Sequence, residues 1–168
     1  MALVLVGGGS RSGKTRFALD RARRFGARLA YVATAQALDA EMRARAARHR
    51  EERGDAFTTF EEPLEVARLL RGPVGAFDAV VVDCLTLWLN NLMSAGRDAE
   101  AEAKALIGAI REAGCGVVLV TNEVGCGIVP ANELARRFRD RAGWLNQQIA
   151  GSADEVWWLV FGCPLRVK

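Results

Sequence analysis

Ala2-Leu3-Val4-Leu5-Val6 runs without a charge into Gly7, and then comes Gly8-Gly9-Ser10-Arg11-Ser12-Gly13-Lys14-Thr15. The second stretch has the spacing G-x-x-x-x-G-K-[ST], and each residue type in it has a physical task. Glycines let the backbone bend until successive N–H groups face one anion. A helix opening at Lys14 points its positive end at the same charge. The Lys14 ammonium reaches the β- and γ-phosphates of a nucleotide, and the Thr15 hydroxyl is a ligand for Mg²⁺. A chance match in a Gly-rich turn lacks the required context. Here an apolar strand signal precedes the loop and a helical stripe, Ala18, Ala22 and Phe25, follows it and stops at Gly26.

Leu29–Ala33, Ala79–Val82, Val117–Val120 and Val156–Phe161 are further apolar runs rich in β-branched residues. All but the last lack polar alternation, the pattern of strands buried on both faces in a helix-covered parallel sheet. Helical periods lie between them. One stripe is Ala103, Leu106, Ile107, Ile110 and Ala113, ending at Gly114, with Glu100 and Lys104 paired at i, i+4. Another is Leu134, Phe138, Ala142, Leu145 and Ile149, with Asn132 as N-cap and Gly151 as stop. Leu165 to Lys168 reads as the return strand of an edge hairpin. Strand and helix alternate, so right-handed crossovers and one doubly wound sheet are expected. The fold class is α/β: a single P-loop nucleotide-binding domain over residues 1–168, RecA-like, with a mostly parallel sheet and helices on both faces.

The 168 residues are 51% apolar and 26% charged, which excludes wholesale disorder. A net charge of +3 is too small to announce a nucleic-acid binder. No run approaches the ~18 apolar residues of a membrane span, and the N-terminus has no signal-peptide pattern. Cys84, Cys115, Cys126 and Cys163 follow neither zinc nor disulfide spacing, and the chain has 1 His. A reduced, cytoplasmic setting is expected.

Asp83, after the Ala79–Val82 run, is placed to hold Mg²⁺ with Thr15; capping the following Leu85–Leu92 helix is the alternative, and both can hold. Ala37 to Arg53 reads as an Arg-rich helix. On it Arg45 and Arg53 lie at i−4 and i+4 from His49, the lone histidine, where two cations favour a neutral, nucleophilic ring. From spacing alone, a solvated mixed-charge helix that happens to carry one His is the stronger reading. Thr121-Asn122-Glu123 end a central strand, where ligands of open α/β sheets gather. The following Val124–Pro130 loop lies near substrate or supports a subunit contact. Trp88, Trp144, Trp157 and Trp158 are read as packing residues rather than a ligand platform.

Other blocks add a resemblance. They are Tyr31-Val32-Ala33-Thr34-Ala35, Asp39-Ala40-Glu41-Met42, Arg45-Ala46-Ala47-Arg48-His49-Arg50, Phe60-Glu61-Glu62-Pro63 and Asp83-Cys84-Leu85-Thr86. Most specific is Val120-Thr121-Asn122-Glu123-Val124-Gly125-Cys126-Gly127-Ile128-Val129-Pro130; Ala135-Arg136-Arg137-Phe138-Arg139-Asp140 and Leu145-Asn146-Gln147-Gln148 follow. Together, end to end and in order, they resemble the bifunctional adenosylcobinamide kinase/adenosylcobinamide-phosphate guanylyltransferase family of cobalamin biosynthesis.

The resemblance implies phosphorylation of adenosylcobinamide by ATP or GTP, then transfer of GMP from GTP to adenosylcobinamide phosphate, with pyrophosphate leaving. It implies that His49 carries GMP covalently and that Lys14 serves catalysis. Nucleotide contacts are implied at Gly8, Gly9, Ser10, Arg11, Ser12, Gly13, Lys14 and Thr15. They are also implied at Ala33, Thr34, Ala35, Arg50, Glu51, Glu52, Arg53, Glu62 and Asp83. For Glu62, a surface acid before Pro63 is an equal reading. Mg²⁺ would sit at Thr15 and Asp83. A homotrimer is implied; no nucleic-acid partner is. Ala35 stands where the family also has Ser, which removes one possible hydrogen bond. The competing classes are an ordinary small-molecule P-loop kinase, a RecA-like ATPase on nucleic acid, and a nucleotide-controlled switch.

Overall fold

The computed structural model describes residues 2–36, 50 and 54–168. Its strands are β1 (Leu3–Gly8), β2 (Leu29–Ala33), β3 (Phe57–Glu61), β4 (Ala79–Asp83), β5 (Gly116–Val120), β6 (Glu155–Val160) and β7 (Cys163–Arg166). They form one sheet in the order β3-β2-β4-β5-β1-β6-β7. All pairs are parallel except β6 with β7, the hairpin expected at the C-terminus. The helices are α1 (Lys14–Ala22), α2 (Val66–Arg71), α3 (Leu85–Ser94), α4 (Ala99–Glu112) and α5 (Glu133–Ser152).

The charge-free runs form the central strands for the reason that predicted them. Every residue of β1 and β5 is buried, so both faces must be apolar. One face packs against α2–α5 through Leu70, Trp88, Leu89, Leu106, Leu145 and Ile149. The other packs against α1 through Ala18, Leu19 and Ala22. Helices on both faces are thus present.

β3 and α2 were not expected. Phe57-Thr58-Thr59-Phe60-Glu61 has too few aliphatics to stand out, because β3 is the edge strand and is only partly buried. At α2, six residues are too few for a periodic signal. Asn132 caps α5 as expected, its side chain accepting from the Ala135 amide at 3.1 Å. In α4 the cap is Asp98, which accepts from the amides of Glu100 and Ala101.

Register sets where the loops emerge. Ala33 pairs with Asp83, Asp83 with Val120, and Val6 with Val120. The C-terminal ends of β2, β4, β5 and β1 therefore lie abreast, and their loops open on one edge of the sheet.

Candidate active site

The loop from Gly8 to Thr15 turns directly from β1 into α1. Its bends need glycine at two points. Gly13, the N-cap of α1, has φ 86°, and Gly8, at φ 155°, has no room for a Cβ, which would come within 2.6 Å of Ser12 Oγ and 2.9 Å of the Leu159 carbonyl. No side chain caps α1, so its first amides are left to an anion. Lys14 is buried and its Nζ donates to the Gly9 carbonyl at 2.9 Å, folding the ammonium over the loop. Ser12 Oγ is buried without a partner among the described residues. A buried hydroxyl left unmade is costly, and an incoming phosphate oxygen would relieve it. Gly9, Ser10 and Arg11 are exposed at the mouth.

Asp83 faces this loop. Its Oδ2 accepts from Thr15 Oγ1 at 2.8 Å and from Tyr31 OH at 2.9 Å. The N-cap of α3 is Cys84 and has no side-chain cap, so the capping alternative for Asp83 is not realised. A hydroxyl and a carboxylate are hard oxygen donors that suit Mg²⁺, which usually takes the rest of its shell from water and phosphate. Among the described residues no group of three or more His, Cys, Asp or Glu side chains is gathered for a metal, so one carboxylate and one hydroxyl are what this site offers.

Thr34 is fully buried with all its polar atoms engaged. Its hydroxyl exchanges 2.8 Å bonds with the Cys84 carbonyl and amide, its amide donates to the Asp83 carbonyl, and its own carbonyl accepts from Asn91. It clamps β2 to β4 behind Asp83, flanked by the half-buried Ala33 and Ala35. Glu62 is half-buried, and one oxygen accepts from the amides of Leu64 and Glu65, supporting the turn into α2. Arg50 and Glu61 form an exposed ion pair at 3.3 Å. His49, Glu51, Glu52 and Arg53 lie outside the described residues.

Cys84 is buried, and burial, aided by the Asp83 charge, pushes its thiol from 9.0 up to about 11. It is therefore an unreactive core thiol at neutral pH. Behind it runs a polar network that composition did not signal. Thr121 Oγ1 donates to Asn146 Oδ1 at 2.7 Å, and Thr86 Oγ1 accepts from the Asn122 amide at 2.8 Å. Glu123 follows, with its amide donating to the Gly8 carbonyl at 3.2 Å. Tyr31 is the other residue left without a role by spacing. A buried phenol must find an acceptor, and that was its only signal.

The tryptophans pack. Trp88 is fully buried with its indole N–H on the Leu64 carbonyl, Trp144 is half-buried against the core, Trp157 stacks at a tilt on Phe17, and Trp158 lies on Gly7.

Residues 4–167 match the family described as cobinamide kinase / cobinamide phosphate guanyltransferase. The chain is 44% identical over 166 residues to the bifunctional adenosylcobalamin biosynthesis protein CobP of Pseudomonas aeruginosa, covering 98% of this chain and 96% of that one. It is 39% identical over 181 residues to the bifunctional adenosylcobalamin biosynthesis protein CobU of Escherichia coli K12, covering 99% of each. Among solved structures, the flagellar accessory protein FlaH of Methanocaldococcus jannaschii superposes with a TM-score of 0.61 at 11% identity, over 99% of this chain and 78% of that one. That last likeness concerns the fold alone, a P-loop nucleotide-binding α/β sheet.

Proposed function

The chain belongs to the cobinamide kinase / cobinamide phosphate guanylyltransferase family, and from that premise we propose that residues 1–168 form one domain running two transfers over a single phosphate cradle. The chain is an enzyme of cobalamin biosynthesis with cobinamide kinase and cobinamide-phosphate guanylyltransferase activities. In our reading ATP or GTP first phosphorylates the aminopropanol hydroxyl of adenosylcobinamide. GTP then gives GMP to the resulting phosphate through a GMP-histidine at His49, yielding adenosylcobinamide-GDP and pyrophosphate. The observation that carries this reading is the cradle itself: Lys14 folded over the loop, a partnerless Ser12 hydroxyl inside it, and Thr15 bonded to Asp83.

In the kinase half, the loop amides and Lys14 orient the γ-phosphate for in-line attack, so positioning and electrostatics do most of the catalysis. Thr15 and Asp83 would hold Mg²⁺, which when bound would supply positive charge to offset that of the phosphates. In the transferase half, neutral His49 attacks the α-phosphorus, forming a nitrogen–phosphorus bond as the bond to pyrophosphate breaks. Lys14 and the amides stabilise the negative charge gathering on that leaving group. The phosphate of adenosylcobinamide phosphate then displaces the histidine. Two steps replace one difficult encounter. Arg50, Glu51, Glu52, Arg53 and Ala33–Ala35 are read as further nucleotide contacts, and Glu62 as a contact to the ribose or base. The assembly is read as a homotrimer in the cytoplasm, with no nucleic-acid partner.

Incubation with GTP and Mg²⁺ followed by intact-mass measurement tests the covalent step. One added GMP, acid-labile and alkali-stable, is expected on the wild-type chain and none on His49→Ala, which keeps at least part of its kinase activity. Lys14→Ala should lose both half-reactions. Absence of the adduct, or equal loss of both activities in a folded His49→Ala protein, would refute the covalent route.

A further inference from the structure

Phosphorylating an alcohol requires its proton to go somewhere as the new oxygen–phosphorus bond forms. A carboxylate at the loop edge of the sheet is the ordinary acceptor. Most acidic groups near that edge are committed. Asp83 Oδ2 holds Thr15 and Tyr31. Glu62 supports the α2 turn, and Glu61 is exposed and paired with Arg50. Cys84 is buried, with its thiol pushed up to about 11.

Glu123 is different. It follows β5, the strand that lies between β1, which carries the phosphate loop, and β4, which carries Asp83. Its amide is tied to the Gly8 carbonyl at 3.2 Å, so its backbone borders the start of the loop. The side chain is half-buried, and Oε1 accepts from the Gly125 amide. Arg139, in α5, fixes Gly125 in turn by donating to its carbonyl at 3.2 Å. Oε2 has no donor among the described residues. The result is a carboxylate anchored at one oxygen, on a residue whose backbone borders the phosphate cradle, with the other oxygen without a donor among the described residues.

We propose that Glu123 is the general base of the phosphoryl transfer, taking the proton of the acceptor hydroxyl through Oε2. As the deprotonated acceptor oxygen of the alcohol bonds to the γ-phosphorus, the bridging β,γ phosphorus–oxygen bond breaks and its electron pair leaves with the nucleoside diphosphate; the proton on Glu123 then passes to water. This rests on the kinase half of the function proposed above. It also explains why Val124 to Pro130 follows directly: the Gly125 turn is what holds the carboxylate.

Steady-state kinetics with adenosylcobinamide and ATP decide it. Glu123→Gln should lower the kinase kcat by about 10²–10³-fold, within the usual range for a lost general base. The nucleotide KM should stay within about threefold of wild type, and formation of the GMP adduct from GTP should be unaffected, since no alcohol proton is removed there. Glu123→Asp should retain part of the activity, and added formate should restore turnover to Glu123→Ala in a dose-dependent way. A Glu123→Gln kcat within threefold of wild type would overturn the assignment. So would parallel loss of nucleotide affinity, adduct formation and kinase turnover, which would mark Glu123 as a support for the loop. An unmodified chain with no kinase turnover at all would remove the underlying reading as well.

Discussion

At the scale of single residues, the site is organised by one carboxylate oxygen. Asp83 Oδ2 accepts from both Thr15 and Tyr31, so the phenol decides which way the carboxylate faces. Tyr31→Phe keeps the packing and removes one hydrogen bond to a charged group, an interaction worth ~1.5–3 kcal/mol. The expected result is a roughly tenfold rise in the Mn²⁺ concentration that half-saturates the nucleotide complex, followed by electron paramagnetic resonance, with Tm lowered by roughly 3–12 °C. Unchanged Mn²⁺ affinity would show that the Tyr31 hydroxyl does not orient Asp83. The Gly8–Thr15 loop and Asp83 were legible in sequence because their task dictates residue type and spacing. Tyr31 was not, and Thr34 and Asn122 entered only through a resemblance and a place at a strand end, with no partner attached to either. A Tyr or Thr in an apolar strand looks the same whether its hydroxyl serves a site or merely satisfies the core, and only the partner tells them apart.

At the scale of elements, the apolar runs gave the strands of the sheet centre correctly because burial on both faces leaves no freedom in composition. The edge was illegible for the opposite reason: β3 faces a neighbour on one side only and tolerates the threonines that hid it. The start of α5 was readable from its Asn132 cap, whereas the Asp98 cap of α4 was not singled out in the sequence. Asp98 holds two amides of α4 and Asn132 holds one of α5. Asp98→Ala should therefore destabilise the chain by about 1 kcal/mol and lower Tm by about 2–4 °C in thermal unfolding, without affecting nucleotide affinity. A loss of affinity would mean that α4 and the site are coupled. Glu62 joins the two scales, since the carboxylate assigned to the nucleotide also supports the first turn of α2.

At the scale of the molecule, large apolar side chains are exposed in two regions. Ile128, Val129 and Leu134 follow the Glu123 turn, and Phe161, Leu165 and Val167 lie on the C-terminal hairpin, with Ile128 and Phe161 97% and 99% exposed. Exposed apolar side chains of that kind are a surface that a subunit contact would cover. Phe161→Asp costs the isolated chain almost no buried contact, so the variant should still fold and run as monomers in sedimentation velocity, with Tm lowered only by what the lost assembly contributed. A variant that sediments like the wild type would place the subunit contact elsewhere. No helix among the described residues is long and apolar enough to cross a membrane. Strand β6 and the turn after it have a further effect. Trp158 lies on Gly7, the Leu159 carbonyl abuts Gly8, and a Cβ at Gly13 would meet Gly162 at van der Waals distance. The outer wall of the anion cradle is thus built from the far end of the chain, from residues with no reactive group. A genetic screen for weakened nucleotide affinity should return hits between 158 and 163 as well as in the glycine-rich motif, and bulky replacements there should resemble lesions of the motif itself.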